Sequence, residues 1–343
     1  MSVAAAFDIK GWCPGGVRPM PSGDGLLVRV RPWCGAFARE QAIGLADIAD
    51  TLGNGHIDLT RRANLQIRGL REESLPALHE ALDRLGLLEG ETARNVMVDP
   101  LAGPEVRALA LALGRALPEG RRAKFGCLVD GGGPLSISGE RADIALCVTP
   151  EGVAVRVDGE WLGVTNADHA TSAAFGRQSS LAKMTLMPVP GRRRLGRIGR
   201  FTGLAAPFGR LEAAQLRALA ETAGLTEIRL SPWRALYVDA AVDVPGFIVD
   251  ESDPLLRIEA CPGAPACASA TVDTRADARR LAAMGFAGTI HVSGCAKGCA
   301  RSAPADLVLV GKDGRYGIVR NGTARDPAGR AIAPDILAAL RSA

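Results

Sequence analysis

The sequence predicts an α+β protein that combines a duplicated half-domain with a separate C-terminal domain carrying four cysteines. Two observations predict this organisation. A stretch that begins at Leu45 is matched without a gap by a stretch that begins at Leu216, and two pairs of closely spaced cysteines lie in the last third of the chain. With 343 residues, the chain is long enough to form two or three domains, each with its own core.

The internal repeat relates residues whose numbers differ by 171. The matched stretches are Leu45–Leu59 with Leu216–Leu230 and Phe37–Arg39 with Phe208–Arg210. In each copy, apolar residues at helical spacing are followed by a glycine and then by alternating apolar residues typical of strands. Each copy is therefore predicted to form a β–α–β–β half-domain, and two such halves can pair about a pseudo-twofold axis. The alternative is chance similarity between two helices rich in alanine and leucine, but the match continues past the helix into the strand.

Composition and hydropathy argue against several classes of protein. No segment of about 18 uncharged apolar residues is present, so no membrane span is predicted. The first ten residues lack a basic start followed by an apolar run, so no signal peptide is predicted and a cytoplasmic location is expected. In that compartment, eight cysteines indicate metal or redox chemistry rather than disulfides. A net charge of +4 is too small to indicate nucleic-acid binding.

Four cysteines give the strongest chemical signal: Cys261, Cys267, Cys295 and Cys299. The first pair has five intervening residues and the second pair has three, and glycine and proline surround both pairs. Thiolates are the ligands that a [4Fe–4S] cluster requires, and glycine-containing loops let backbone N–H groups approach its sulfides. Structural zinc is the main alternative, although zinc pairs usually leave about two to four residues between cysteines. Unliganded thiols are the second alternative.

Nearly the whole chain resembles the sulfite and nitrite reductases that carry a [4Fe–4S] cluster beside siroheme. The resemblance rests on the cysteine spacing, the repeat and three basic motifs: Thr60-Arg-Arg-Ala-Asn-Leu-Gln66, Arg94-Asn-Val-Met-Val-Asp-Pro100, and Leu117-Pro118 followed by Lys124-Phe125. It implies duplicated ferredoxin-like half-domains together with α/β domains that bind a tetrapyrrole and the cluster. It also implies that Arg62, Arg94 and Lys124 are catalytic residues and that the four cysteines hold the cluster.

The same resemblance divides the chain into four parts. The expected domains are a first ferredoxin-like half-domain at 16–88, a tetrapyrrole-binding α/β domain at 89–187, a second half-domain at 196–250 and a cluster- and tetrapyrrole-binding domain at 251–343. Within the last of these, the pattern at Leu255–Glu259 predicts a strand that leads into Cys261. A helix is predicted at Asp277–Met284.

One position departs from the reductase pattern. The reductases place a second lysine two residues after the first, whereas this chain has Gly126 two residues after Lys124. Six-electron reduction of sulfite needs several cations to bind and protonate the anion, so the glycine argues against that reaction. The segments Lys124–Gly133, Asn95–Gly103, Trp12–Gly15 and Pro19–Gly25 instead resemble the precorrin-3B synthases, a branch of the same superfamily that belongs to aerobic cobalamin biosynthesis.

The resemblance to this branch implies a monooxygenase. Such an enzyme uses O₂ to hydroxylate precorrin-3A while an acetate side chain closes a lactone, and an external donor, an NADH-linked reductase or a ferredoxin, supplies the electrons. The branch carries a [4Fe–4S] cluster and is associated with a mononuclear non-haem iron, and siroheme is the less favoured cofactor. His56 and His291 are weak candidates for iron ligands, because no two histidines stand at ligand spacing. No role is assigned to Cys13 or Cys34, and neither nucleic acid nor a membrane is an expected partner.

A tetrapyrrole with several carboxylate arms would suit the arginines of this chain, because arginine binds carboxylate bidentately and stays charged when water is removed. The basic residues that the repeat brings to one face are Arg29, Arg31, Arg61, Arg62, Arg68, Arg94 and Lys124. For any single arginine, a solvated surface position is the alternative. Two alternative functions stay open: a siroheme-dependent sulfite or nitrite reductase, in which Cys299 would bridge cluster and haem iron, and a non-catalytic iron–sulfur electron carrier.

Overall fold

The computed structural model describes residues 13–89, 95–122, 124–176 and 181–335. Trp12 and Arg94 therefore lie outside the described residues. The chain divides into two compact units. The cysteine unit contains Pro21–Leu26 and the residues from Asp250 onward, and the repeat unit contains residues 13–20 and 27–249.

The elements follow one another in an order that repeats in the two half-domains. The first half-domain contains β1 (Met20–Ser22), β2 (Gly25–Val30), β3 (Ala36–Ala38), α1 (Arg39–Thr51), β4 (His56–Leu59), β5 (Leu65–Leu70) and α2 (Leu75–Arg84). The middle region contains β6 (Val96–Val98), α3 (Pro104–Ala116), β7 (Cys127–Asp130), β8 (Ile144–Thr149), β9 (Gly152–Val157), β10 (Glu160–Thr165) and α4 (Ala167–Ala174). The second half-domain contains β11 (Gly196–Ile198), β12 (Phe201–Ala205), β13 (Arg210–Glu212), α5 (Ala213–Ala220), β14 (Glu227–Leu230) and β15 (Ala235–Val238). The cysteine unit contains β16 (Ile258–Ala260), α6 (Thr274–Ala283), β17 (Ile290–Ser293), β18 (Ala305–Lys312), β19 (Arg315–Gly322) and β20 (Ala331–Ile332).

The two half-domains exchange one short strand each. One sheet has the order β1-β2-β5-β4-β13 and the other has the order β11-β12-β15-β14-β3. Phe37 of β3 lies opposite Ile228 of β14, and Leu211 of β13 lies opposite Ile57 of β4. Helices α1 and α5 also pack against each other. The duplicated α+β fold expected from the repeat is therefore confirmed, and each half completes the sheet of the other.

Both exchanged strands lead directly into a helix with the same N-terminal arrangement. The side-chain oxygen of Gln41 accepts a hydrogen bond from the backbone N–H of Ala38 at 2.8 Å, and Gln215 accepts one from Glu212 at 2.9 Å. These bonds satisfy backbone donors that have no partner within the helix. The apolar face of α1 is buried, with Leu45 fully enclosed.

The structural repeat keeps the predicted offset of 171 at strands β4 and β14, within Leu45–Leu59 and Leu216–Leu230, but the predicted match of Phe37–Arg39 with Phe208–Arg210 is wrong. The equivalent residues Ile57 and Ile228 are 171 positions apart, but Gln41 and Gln215 are 174 apart. Phe208 has the positive φ of 58° that Cys34 has in the first half, so Phe208 corresponds to Cys34 and not to Phe37. The difference of three residues is close to one helical turn, so the apolar pattern stays in phase and hides the shift.

A buried ion pair fixes the exchanged strand β13 to β4. Arg210 donates from Nε and a terminal nitrogen to the two carboxylate oxygens of Asp58, at 2.8 and 3.2 Å. Asp58 is only 7% exposed, and a second arginine, Arg68, stands 3.9 Å from it. A bidentate arginine–carboxylate pair is directional as well as strong, so it selects this register of pairing.

The middle region forms a sheet of order β10-β9-β8-β7-β6. Strands β6, β7 and β8 are parallel, and β9 and β10 continue antiparallel. Cys127 and Cys147 are fully buried in its core, as expected for small apolar residues. Burial raises the pKa of the Cys127 thiol to about 12 and also raises the pKa of Cys147, so both stay protonated.

The cysteine unit is built on parallel strands β16, β17 and β18, which continue antiparallel into β19 and β20. The strand expected at Leu255–Glu259 is wrong over most of its length. Pro254–Arg257 forms a short 3₁₀ turn, because the Asp253 carboxylate accepts a hydrogen bond from Leu255 N–H at 2.8 Å and Pro254 favours a first helical position. Asp273 likewise caps α6, which therefore begins before the predicted Asp277.

A helix needs about 20 consecutive apolar residues to cross a lipid bilayer. In the described parts of the chain, no helix combines enough length with enough apolar character to cross a membrane.

Replacing Arg210 by methionine should lower the free energy of unfolding by about 3 kcal/mol, because Asp58 would be left buried without its bidentate partner. Arg84→Met is the matched control, since its pair with Glu80 is exposed at 72% and 75% and should contribute less than about 1 kcal/mol. Urea denaturation monitored by circular dichroism measures both. Equal losses in the two variants would contradict the role given to the Asp58 pair.

Candidate functional site

The four cysteines of the predicted cluster site lie in two loops of the cysteine unit. Cys261 follows β16 directly, and Cys295 lies two residues after the end of β17. Because β16 and β17 are parallel, these two loops leave the sheet at the same edge. Cys267 and Cys299 follow within the same two loops.

A direct contact joins the two loops. The backbone N–H of Gly294 donates a hydrogen bond to Cys261 Sγ at 3.2 Å. The hydroxyl of Thr274, at the start of α6, donates to the carbonyl oxygen of Cys261 at 2.6 Å. A side chain at Gly294 would stand 2.6 Å from the Ala270 side chain, so glycine is required for this approach.

The thiols also affect one another electrostatically. Loss of water raises the pKa of Cys295, and Cys267 and Cys261 raise it further. The backbone N–H group and the charge of Lys297 act in the opposite direction and lower this pKa. Loss of water also raises the pKa of Cys299. The charge of Lys297 lowers this pKa, and the other three cysteines raise it further. Cys295 and Cys299 therefore belong to a group of four thiols that a cationic metal centre would stabilise as thiolates.

The four thiols can be compared with the ligands that a single metal ion and a [4Fe–4S] cluster require. In residues 13–89, 95–122, 124–176 and 181–335, no three histidine, cysteine, aspartate or glutamate side chains stand close enough to hold a single metal ion. The other three cysteines act on the ionisation of Cys299, so the four thiols lie within electrostatic range of one another. A [4Fe–4S] cluster takes four thiolates, one for each iron, and this donor set fits it.

A glycine far away in the sequence supports the Cys267 loop. Within the cysteine unit, a side chain at Gly23 would stand 2.3 Å from the backbone nitrogen of Ala268 and 2.9 Å from Cys267 Cα. The turn at Pro21–Leu26 therefore lies directly against the backbone of this loop, and only glycine allows the approach. The sequence of Pro19–Gly25 indicates a resemblance to the precorrin-3B synthases but not this packing against the Cys267 loop.

Arg62 and Lys124, two of the predicted catalytic residues, meet in the repeat unit. Arg62 lies in the turn between β4 and β5, and its guanidinium donates to the backbone oxygen of Lys124 at 3.0 Å. The Thr60 hydroxyl oxygen shapes this turn by accepting hydrogen bonds from the N–H groups of Arg62 and Asn64, at 3.3 and 3.1 Å. The Lys124 side chain is exposed. Arg94, the third predicted residue, lies outside the described residues.

Gly126 occupies the space between two polar side chains of this site. A Cβ at Gly126 would stand 3.0 Å from Asn95 Nδ2 and 3.4 Å from a terminal nitrogen of Arg62. Asn95 in turn accepts a hydrogen bond from Asn64 Nδ2 at 2.8 Å. Sequence reasoning singled out neither asparagine, although both stand within the quoted motifs. The absence of a second lysine is therefore tied to close packing at this point.

Two arginines, Arg29 and Arg31, stand near Arg62. Burial lowers the pKa of Arg29 to about 10, and the positive charges of Arg31 and Arg62 lower it further. The neighbouring Cys13 raises this pKa and offsets part of the decrease. Guanidinium groups held together in this way disfavour one another, so a carboxylate would relieve the repulsion. Cys13, to which no role was assigned, stands beside Arg29 and forms a hydrogen bond with it.

Two arginines of the expected basic face, Arg31 and Arg68, stabilise the fold. Arg31 is 6% exposed and donates to the Glu89 carboxylate at 2.9 Å and to the Pro14 carbonyl at 2.7 Å. Arg68 is equally buried and stands beside Asp58. Both stand against a carboxylate of the protein, whereas Arg62 is half-buried and donates to a backbone carbonyl.

Replacing Gly126 by alanine should lower the free energy of unfolding by about 1–3 kcal/mol, because the new methyl group would overlap Asn95. Gly133→Ala is the control, since its nearest neighbouring atom would be 3.9 Å away and the change should cost less than about 1 kcal/mol. Thermal and urea unfolding measure the difference. If alanine is tolerated equally at both positions, Gly126 is not a packing requirement.

The chain is similar to known proteins both in sequence and in structure. The family described as "Nitrite/Sulfite reductase ferredoxin-like half domain" matches residues 18–85. A protein of Sinorhizobium sp. named precorrin-3B synthase is 32% identical, over 92% of this chain and 83% of its own length. The ferredoxin–nitrite reductase of Synechococcus elongatus is 25% identical, over 87% of this chain and 79% of its own length.

The same fold occurs in a solved structure. The NirA protein of Mycobacterium tuberculosis superposes with a TM-score of 0.66, at 18% identity, over 91% of this chain and 78% of that protein. This likeness concerns the fold, and the family follows from the similarity of sequence over almost the whole chain. The chain belongs to the precorrin-3B synthase family, whose members are enzymes related to the nitrite and sulfite reductases.

Proposed function

We propose that the protein is a precorrin-3B synthase, a monooxygenase that hydroxylates precorrin-3A with lactone formation in aerobic cobalamin biosynthesis. The close packing of Gly126 against Asn95 and Arg62 is the observation that favours this reaction over sulfite reduction, because a side chain at this position would have to displace both polar groups by a few tenths of an ångström. Membership of the precorrin-3B synthase family supports the same choice.

Arg62, Arg94 and Lys124 would bind and orient the substrate. The guanidinium of Arg62 already bonds the Lys124 backbone through one nitrogen, which fixes its direction and leaves other donors for a carboxylate. The exposed Lys124 ammonium can move to a second carboxylate. Arg29 adds positive charge beside Arg62 and would strengthen the attraction for a polyanionic tetrapyrrole.

Cys261, Cys267, Cys295 and Cys299 would hold a [4Fe–4S] cluster, which supplies electrons one at a time when bound. The hydroxylation consumes O₂, two electrons and two protons; one oxygen atom enters the substrate and the other leaves as water. An external donor, an NADH-linked reductase or a ferredoxin, would provide the electrons. The described residues offer no set of three ligands for a mononuclear iron, so no step is assigned to one.

A siroheme-dependent reductase is the second candidate. It is favoured by the 25% identity with a ferredoxin–nitrite reductase over 87% of the chain. An absorption spectrum of anaerobically purified protein separates the candidates, since a siroheme chromophore supports the reductase and broad iron–sulfur absorption alone supports the synthase. Broad absorption without turnover of any substrate would indicate an electron carrier.

Each of the four cysteines should be needed for about four iron and four sulfide per chain. Changing Cys295 to alanine should abolish the cluster and destabilise the surrounding loops, because metal binding and folding are coupled. Cys147→Ala is the control, since this cysteine is buried in the core of the repeat unit and should leave the iron content unchanged. Iron and sulfide analysis measures both, and a full cluster in two different single-ligand variants contradicts the ligand set.

Replacing Arg62 by alanine should weaken binding of precorrin-3A by about 1.5–3 kcal/mol, the scale of a charge-assisted hydrogen bond, or about ten- to a hundredfold in Kd. Lysine should restore only part of the affinity, because the bidentate guanidinium is lost. Anaerobic titration followed by absorbance measures the Kd. The exposed Arg84→Ala is the control, and unchanged affinity in Arg62→Ala would mean that the substrate binds elsewhere.

Protein that contains its cluster, given precorrin-3A, an electron donor and ¹⁸O₂, should form a hydroxylated lactone that carries one ¹⁸O atom. Mass spectrometry of the product measures the label. An unlabelled product together with turnover of sulfite or nitrite would favour the reductase. In that case Gly126→Lys should raise the reductase activity, whereas a synthase should gain no sulfite turnover from this change.

A further inference from the structure

His291 is the one histidine that the structure describes in the cysteine unit, and it lies in the centre of β17. Its side chain is fully buried. In register, it stands beside Glu259 of β16 on one side and Val308 of β18 on the other. Val308 belongs to a small apolar core with Ala305, Val310, Val319 and Ala324. An imidazole is therefore enclosed where an aliphatic side chain would pack without cost.

Neither ring nitrogen of His291 has a hydrogen-bond partner among the described residues. The neighbouring charged groups are engaged with each other, because Arg301 donates to Glu259 at 2.8 Å and to the Pro304 carbonyl at 2.8 and 2.9 Å. Burial lowers the pKa of His291 to about 4, against the raising effect of Glu259. The ring is thus neutral at neutral pH, with one N–H donor and one acceptor, and leaving both unused inside a protein is costly.

The ring is directed at the second cysteine loop. A Cβ at Gly298 would stand 3.7 Å from His291 Cε1, the carbon between the two nitrogens, and 3.2 Å from the Ala324 side chain. Gly298 precedes Cys299 and has a positive φ of 66°. The nitrogen-bearing edge of the imidazole therefore faces the loop from Cys295 to Cys299 from inside the unit.

We propose that His291 is a positioning residue of the iron–sulfur centre, and that its N–H donates a hydrogen bond to a sulfur of the loaded site and raises the reduction potential of the centre. The inference rests on the cluster assignment of the proposed function. Uptake of one electron adds negative charge to the centre without making or breaking a bond. A hydrogen bond to sulfur strengthens as that charge grows, so it favours the reduced form.

The test compares three variants of the full chain, each purified anaerobically with its cluster. His291→Leu removes the donor and keeps the volume, His291→Gln keeps a donor on a different side chain, and Val308→Ala disturbs the same apolar core without touching the imidazole. Redox titration followed by EPR should give a midpoint potential that is more negative than wild type in His291→Leu and intermediate in His291→Gln. Val308→Ala should lower the Tm and leave the potential unchanged.

Three outcomes overturn the proposal. The first is a potential in His291→Leu equal to that of wild type. The second is a loss of iron from both His291 variants while Val308→Ala stays loaded, which would make the histidine a ligand. The third is an equal shift in Val308→Ala, which would mean that core packing sets the potential. A wild-type protein that contains no cluster would overturn both this proposal and the proposed function. Iron and sulfide analysis of the wild-type protein shows this before any variant is compared.

A measurement on the wild-type protein keeps the proposal testable if the His291 variants do not fold. Protein labelled with ¹⁵N-histidine and reduced with dithionite should show a histidine nitrogen coupling in pulsed EPR, because a hydrogen bond transmits spin density from the centre to the ring. Absence of any histidine coupling in the reduced wild-type protein overturns the proposal.

Discussion

The reciprocal exchange of β3 and β13 is the constraint on which the rest of the repeat unit depends. Each of these strands has only three residues and can be held only as the edge of the other half's sheet. The Asp58–Arg210 pair fixes that register in a place where an unpaired charge would be costly. The turn that carries Arg62 begins directly after β4, which contains Asp58, so the strand exchange also determines where this cation stands.

Both candidate sites depend on glycine at a point of close approach. Gly126 lets Asn95 and Arg62 come together over the Lys124 backbone, and Gly294 lets one cysteine loop donate a backbone hydrogen bond to the sulfur of the other. In each case a single methyl group would separate the groups that are expected to act together. A lysine at position 126 would therefore alter packing and charge at the same time.

The two sites also share an electrostatic property: like groups are gathered where water is scarce. Burial and the charges of Arg31 and Arg62 lower the pKa of Arg29, and loss of water together with the other three cysteines raises the pKa of Cys299. Such arrangements favour a ligand of opposite charge, a polycarboxylate in the first case and a metal centre in the second. Shifted pKa values of this kind are expected at functional sites rather than in a core whose residues only stabilise the fold.

The sequence by itself determined the duplicated α+β organisation and the strands around Ile57 and Ile228, because these features follow from local periodicity, and its cysteine spacing predicts the four cysteines as one ligand set. It did not determine the true offset of 174 at the start of the repeat, since a shift of about one helical turn leaves the apolar pattern unchanged. Nor did it distinguish Arg62 from Arg31 and Arg68, or show that His291 is buried without a partner. Only the tertiary structure decided these points, because a side chain's role depends on the groups that distant parts of the chain bring against it.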